Sequence, residues 1–390
     1  MRKPNYNKFP ATEVQGTITI GWDKICNTLS AAAEGRHIIA LELYTGTYEE
    51  EIIAAFGQIT DREIICTRDL MKPEEDIIRM TAGLMTDDTL FGHVTYLNIN
   101  DYFDAEKLEQ TRAMIAASGR NWTIIGSGAS LLADENTLLA YADMARWEIQ
   151  QRFRRHEVKA LGTDNSSEAP SLQYKRGYFN DWRICDSHKD KIMGQVEYWI
   201  DTHIAGTPKM IDRATFLAGL EKTAVNPFRV VPFFDPAPWG GQWMKEVCDL
   251  DRERQNFGWC FDCVPEENSL LFEIEGTLFE IPSVDLVLWK STQLLGEAVE
   301  ARFGKDFPIR FDFLDTMGGG NLSLQVHPTT QFIRDNFGMS YTQDESYYLL
   351  DAGEGAHVYI GLKTGIDKDE MIEDLRKAQR GEIVFDADKY

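Results

Sequence analysis

The stretch Asn321-Leu-Ser-Leu-Gln-Val-His-Pro328 places a hydroxyl, an amide and an imidazole at alternate positions, Ser323, Gln325 and His327. Strand side chains repeat with period two. In a strand these three would line one face about 6–7 Å apart, with Leu322, Leu324 and Val326 on the other. Glu345 follows eighteen residues after His327 and opens the apolar run Tyr347-Tyr-Leu-Leu350. An amide oxygen, an imidazole nitrogen and a carboxylate converging on one sheet face make a donor set for a hard-to-borderline metal ion.

The same run, preceded by Phe307-Pro308 and followed by a Glu before an aromatic-rich strand, resembles the zinc-binding core of type I phosphomannose (mannose-6-phosphate) isomerases. Those are cupin-fold enzymes. Trp239-Gly240-Gly241 is similar to a Trp-Gly-Gly near the start of that domain. The resemblance spans about residues 232–390. It implies that Gln325, His327 and Glu345 are three zinc ligands and that Ser323 contacts a sugar phosphate. The family usually carries Lys at the substrate position held here by Gln343, so one phosphate-binding cation is missing. Arg310 and Arg334 are candidates to replace it. A further His ligand and an active-site Arg of the family lie beyond the helix that corresponds to Lys368–Gln379. The resemblance therefore implies a jelly roll lacking strands, with an open edge and an uncovered apolar face. A fragment of a longer protein is the favoured explanation, ahead of completion by another chain or a degenerate domain.

The chemistry so implied interconverts mannose 6-phosphate and fructose 6-phosphate. A proton moves between C1 and C2 through an enediol, while zinc polarises the oxygen where charge develops. No residue presents itself as the general base. Two other readings stand beside this one. The C-terminal half is a non-catalytic, regulatory or sugar-phosphate-binding cupin module, or the chain binds a nucleotide through its N-terminal half. Oligomeric state is left open.

The elements that must position these residues fall into two kinds. From His37 to about 160, apolar strands alternate with helices: His37–Leu43, helix Glu49–Phe56, Arg62–Cys66, His93–Ile99, helix Ala105–Ser118 and Asn121–Ile125. This alternation predicts a parallel α/β sheet. The segment distantly resembles P-loop nucleoside or nucleotide kinases, with the strand–turn–helix at 37–56 in the place of the phosphate loop. Tyr44-Thr-Gly-Thr-Tyr-Glu-Glu-Glu51 has one Gly, no Lys and three carboxylates, so the expectation is a kinase-like scaffold without kinase chemistry. Gly126-Ser-Gly128 is a weak phosphate hint. Asp143–Arg155 reads as a helix bearing Arg146, Arg152, Arg154 and Arg155, a solvated face rather than a phosphate lid. Residues 161–171 read as a mobile loop, 189–201 as a helix, and Ala205-Gly-Thr-Pro208 as an interdomain linker.

From Pro227 the pattern changes to short strands: 228–234, 270–272, 277–281, 308–314, 321–327, 347–351 and 356–362. Many short strands with turns predict a barrel or jelly roll. The fold expected is thus α/β plus all-β. A kinase-like parallel α/β domain (1–204) lacking an intact phosphate loop precedes a partial cupin barrel (205–390).

Composition bounds the function classes. The 390 residues are 43% hydrophobic and 26% charged, and the formal net charge is −23. That charge disfavours nucleic acid as a partner but leaves room for a sugar phosphate in a locally positive pocket. No apolar run approaches the length of a membrane span. The first residues lack an apolar signal core, and six scattered cysteines make no disulfide framework. A cytoplasmic compartment follows. Cys260-Phe-Asp-Cys263 reads as ordinary thiols.

Overall fold

The computed structural model describes residues 4–58 and 61–390. Of the expected lead-in 1–20, residues 1–3 lie outside the described residues. The remainder supplies β1 (Ala11–Glu13) and β2 (Thr19–Ile20). There follow β3 (Ile38–Leu43), β4 (Glu63–Cys66), β5 (Trp122–Gly126), β6 (Leu138–Asp143), β7 (Tyr198–Asp201) and β8 (Lys209–Asp212). Then come β9 (Phe233–Asp235), β10 (Trp259–Cys263), β11 (Ser269–Ile274), β12 (Thr277–Pro282) and β13 (Phe311–Leu314). The fold is mixed α/β, with three sheets among the described residues and none closed into a barrel.

The main sheet has seven strands in the order β2-β8-β7-β6-β3-β5-β4. Five consecutive members, β7, β6, β3, β5 and the edge strand β4, run parallel. β8 and β2 add antiparallel at one edge. β3 and β6 are buried throughout. Helices cover both faces, which is why their sequences read as unbroken apolar runs. Alternate residues serve opposite layers: Ile38 and Ala40 pack into one core, and Ile39, Leu41 and Leu43 into the other.

A second sheet, β1-β11-β12, joins the chain's start to residues 269–282, with Ala11 opposite Leu271. A third, β13-β10-β9, is antiparallel and stacks Phe233, Phe261 and Trp259 on one face. The chain divides into two compact units, one reaching Asp344 and the other Glu345–Tyr390. The second unit is built on helix Lys368–Gln379, capped by Asp367 and held by Tyr390 and Lys389 on Asp374.

Several expectations are corrected here. Residues 93–99 form no strand, because their amides bond to scattered carbonyls: His93 to Leu84, Val94 to Phe337 and Thr95 to Phe179. The helix expected over 189–201 ends at Ile192, and after Gly194 the chain enters β7. β6 and β10 were not foreseen. Ala205-Gly-Thr-Pro208 is the turn between β7 and its antiparallel neighbour β8, so a boundary at 204/205 would fall inside the main sheet. The loop at 161–171 is pinned by Asn165, whose side chain accepts from Ala160 N at 2.9 Å and whose carbonyl accepts from Gln173.

The stretches 321–327, 347–351 and 356–362 form no ladder either. A strand alternation needs a paired neighbour and a facing layer. Val326 is instead 75% exposed, Tyr348 87% and Ile360 89%. The expected hairpin turn at Gly353–Gly355 is present, closed by Ala356 N on Gly353 O, without flanking strands. His357, expected to be structural, is exposed.

Candidate functional site

The residues singled out by spacing lie on exposed, irregular backbone. Ser323, Gln325, His327 and Gln343 are in the first unit, and Glu345 begins the second. Two of them meet. His327 Nδ1 lies 2.7 Å from the backbone carbonyl of Gln343. A carbonyl only accepts, so Nδ1 carries a proton there. That is the orientation metal-binding histidines usually take, one nitrogen tied to a carbonyl and the other turned to the metal. In the second unit, the phenol of Tyr347 bonds Glu345. Desolvation first, and then this carboxylate, push Tyr347 up to about 12. Among the described residues no group of three or more His, Cys, Asp or Glu is gathered to hold a metal ion. The set expected from the sequence has one His, one Glu and the Gln amide.

Trp239-Gly-Gly comes against the glycine run that leads into this stretch. Gly320 N donates to Trp239 O at 3.0 Å, and Gln242 N to Met317 O at 2.8 Å. The glycines are required by contact. A Cβ at Gly240 would lie 2.2 Å from Asn256 Oδ1, and one at Gly241 2.2 Å from Asp315 Oδ1. Of the candidate replacement cations, Arg310 is bound to Glu266, which leaves Arg334, exposed on helix Thr330–Phe337.

A second constellation stands at the carboxyl ends of the parallel strands, the edge where ligands of open α/β sheets bind. Glu42 in β3 turns its carboxylate onto Gly128 N and Ser130 N, the latter at 2.9 Å. In the Gly126-Ser-Gly128 turn, which suggested a phosphate, the Gly128 amide thus already holds an internal carboxyl group. His188 Nε2 lies 2.8 Å from Ser130 Oγ and 3.4 Å from Glu42 Oε2. Hydroxyl and carboxylate share one ring nitrogen, so this is not a nucleophile relay, which needs them on opposite nitrogens.

At the end of β6, Asp143 grips Lys189, which also bonds Asp285 Oδ1 at 2.8 Å. All three are buried, and the rings of Tyr44 and Tyr141 stand over the ammonium. At the end of β7, Asp201 accepts from the His203 ring and from Lys209. Burial acts against that carboxylate, but these two partners hold it down at about 2. Burial also opposes a charged His203, and Glu280 and Asp201 together lift the ring to about 9. The geometry pulls the other way. Ala145 N donates to His203 Nε2 at 2.8 Å, which favours the tautomer whose proton sits on Nδ1 and is donated to Asp201 Oδ1.

The turn at 44–47 is filled from within. Arg152 donates to Gly46 O and Thr202 O, and its guanidinium lies 3.7 Å from the centre of the Tyr48 ring. The helix carrying it runs from Arg146 to Arg154, and the expected solvated arginine face is half internal. Arg146 pairs with Asp186 beneath Tyr44, while Arg154 and Arg155 stay outside on Asp235, Glu148 and Glu157. Burial pushes the Cys260 thiol up to about 12 and that of Cys263 to about 11, in keeping with ordinary thiols.

The model of a domain of unknown function, DUF8485, matches residues 21–225, just over half of the chain. The chain belongs to this family. The DUF8485 span takes in the parallel strands, the β7–β8 turn and the helix Arg213–Ala224. Its end near 225, rather than 204, agrees with where the main sheet is complete. No match was found among curated proteins. Within DUF8485, sequence reading missed Glu42, Asp143, Lys189 and Asp201. The available signal was a charged residue at or near the end of an apolar run, as in Ile-Ile-Ala-Leu-Glu-Leu43 and Leu-Leu-Ala-Tyr-Ala-Asp143. Among the described residues no helix is long and apolar enough to cross a membrane.

Proposed function

We propose that the chain carries the substrate face of a zinc-dependent aldose–ketose isomerase acting on mannose 6-phosphate and fructose 6-phosphate, a partial cupin set behind a kinase-like scaffold. The observation that carries this reading is the bond from His327 Nδ1 to Gln343 O inside the Ser-x-Gln-x-His-Pro stretch. It orients the imidazole as a ligand would need. The contact of Trp239-Gly-Gly with the preceding glycines adds support, because it brings the two halves of the resemblance together.

Gln325, His327 and Glu345 would hold zinc, and their oxygen and nitrogen donors suit that ion. Zinc so held would supply polarisation of the sugar oxygen at which negative charge develops. Ser323 would donate a hydroxyl hydrogen bond to the phosphate. Gln343 would offer an amide where a cation would bind more tightly. The main sheet, with its first parallel strand β3 near the centre, is the scaffold part of the reading. The turns at 44–47 and 126–128, where a kinase would hold phosphate, are occupied by Arg152 and Glu42, which favours a supporting role over nucleotide chemistry.

Zinc content and sugar-phosphate turnover test it together. The expected result is stoichiometric zinc, lost in Gln325→Ala, His327→Ala and Glu345→Ala. Zinc retained by all three variants would remove the ligand assignment. Zinc with sugar-phosphate binding but no turnover would leave the binding-module reading in its place.

A further inference from the structure

A cavity of about 230 Å³ opens beside the carboxyl ends of β3 and β5, between the turn at 98–101 and helix Trp182–Ile192. Its polar lining is Asn98, Asn100, Asp101, Ser187, His188 and Lys191. Ile99 and Ile184 supply an apolar surface. The volume lies below the range of about 300–1,000 Å³ typical of larger ligands, so the occupant is roughly one sugar ring in size.

The buried polar member is His188, and its hydrogen bonds define what it offers. Both of its bonds, to Ser130 and to Glu42, are made by Nε2. Glu42 Oε2 is an acceptor, already taking Ser130 N–H, so Nε2 carries the ring proton. In that tautomer Nδ1 holds the lone pair, and none of the described hydrogen bonds reaches it. Asp101 accepts Asn98 N through one oxygen at 2.7 Å, and Lys191 Nζ lies 3.4 Å from Asn98 Oδ1 across the lining. The lining therefore mixes acceptors (His188 Nδ1, Asp101) with donors (Lys191, the Asn100 amide, Ser187). Its one lysine is balanced by its one carboxylate, and Glu42 stands behind the imidazole. A phosphate needs an excess of positive charge that this cavity lacks.

We propose that this cavity binds a neutral polyhydroxylated ligand of monosaccharide size, whose hydroxyl protons go to His188 Nδ1 and Asp101 and whose oxygens accept from Lys191 and Asn100. The two isoleucines take the C–H face of the ring. None of the lining residues belongs to the expected zinc-ligand set, and the proposal stands whether or not the isomerase reading holds.

The test uses the whole chain, titrated calorimetrically with D-mannose, D-ribose and myo-inositol, with inorganic phosphate as the contrasting probe. The His188 ring signal, assigned by comparison with His188→Gln, is followed by NMR. At least one neutral probe is expected to saturate and to shift that signal. Lys191→Gln removes an exposed cation and should leave the thermal midpoint in place. It is expected to weaken binding about tenfold, the worth of one charge-assisted hydrogen bond. Three results would overturn the proposal: saturation by phosphate alone, no saturable binding of any neutral probe, or binding that leaves both the His188 signal and the Lys191→Gln affinity unchanged.

Discussion

Lys189 Nζ lies 2.8 Å from Asp285 Oδ1, a contact between residues 96 positions apart, with both side chains fully buried. The same ammonium bonds both oxygens of Asp143. The outer oxygen of Asp285 has no donor of its own and faces the Asp143 carboxylate. A proton on it would supply the missing bond and leave the cluster neutral. Burial first, then the Asp143 charge, push Asp285 well above the usual carboxylate range, in line with that proton.

Removing Lys189 leaves a buried carboxylate without its cation. Lys189→Met is expected to destabilise the fold by about 3–5 kcal/mol. Asp285→Asn replaces a protonated acid by a near-isosteric amide and is expected to cost less than about 1 kcal/mol at neutral pH. Denaturant unfolding of both variants checks the pair. Equal losses would show that Asp285 is ionised.

The same proton gives a pH signature. Asp285 is raised in the folded state, so above an unfolded value of about 3.9 the folded chain holds a proton that the unfolded chain has released. Fewer protons in the unfolded state mean that stability falls as pH rises, by about 1.4 kcal/mol per unit until the folded value is reached. Asp285→Asn lacks this slope. The variant is therefore expected to gain on the parent as pH rises from about 4. Unfolding midpoints across that window decide it, and a constant gap would remove the raised carboxyl.

Arg152 and Arg154 are two residues apart on one helix and serve different purposes. Arg152 is fully buried, with its guanidinium on two carbonyls and on the Tyr48 ring. Arg152→Met is expected to cost about 3 kcal/mol, from carbonyls left without donors and a lost ring contact. Arg154 pairs with Asp235 at the surface, where solvent screens the charges, and Arg154→Ala is expected to cost less than about 1 kcal/mol. Thermal unfolding distinguishes them.

At the proposed sugar-phosphate face, Gln343 contributes its backbone carbonyl to His327, while its side chain is exposed. Gln343→Lys keeps the carbonyl and adds a cation. It is expected to tighten sugar-phosphate binding by about tenfold, read by calorimetry, with zinc content unchanged. Unchanged affinity would place the phosphate elsewhere.

The parallel sheet was legible because Ile38–Leu43 and Trp122–Gly126 are buried on both faces, and such strands must be apolar throughout. β6 was missed because Asp143 and the following arginines drew the reading toward a helix. Arg146 and Arg152 are charges that the fold pairs internally, and a sequence pattern cannot tell these from solvated ones. The alternation in 321–327 and 356–362 was read as strand, but period two describes only which way side chains would point. It does not supply a partner, and Val326 and Ile360 stand in solvent. The His327–Gln343 contact depends on backbone geometry across sixteen residues, which spacing does not encode.

Asp285 lies outside the span that defines the family, yet it is the third side chain bonded in the cluster around Lys189. The family segment is therefore not a freely portable cassette. A recombination event that moved residues 21–225 alone would inherit Lys189 and Asp143 without their third partner. In such a graft the Lys189 ammonium would keep both oxygens of Asp143 and would look to its new surroundings for one more acceptor.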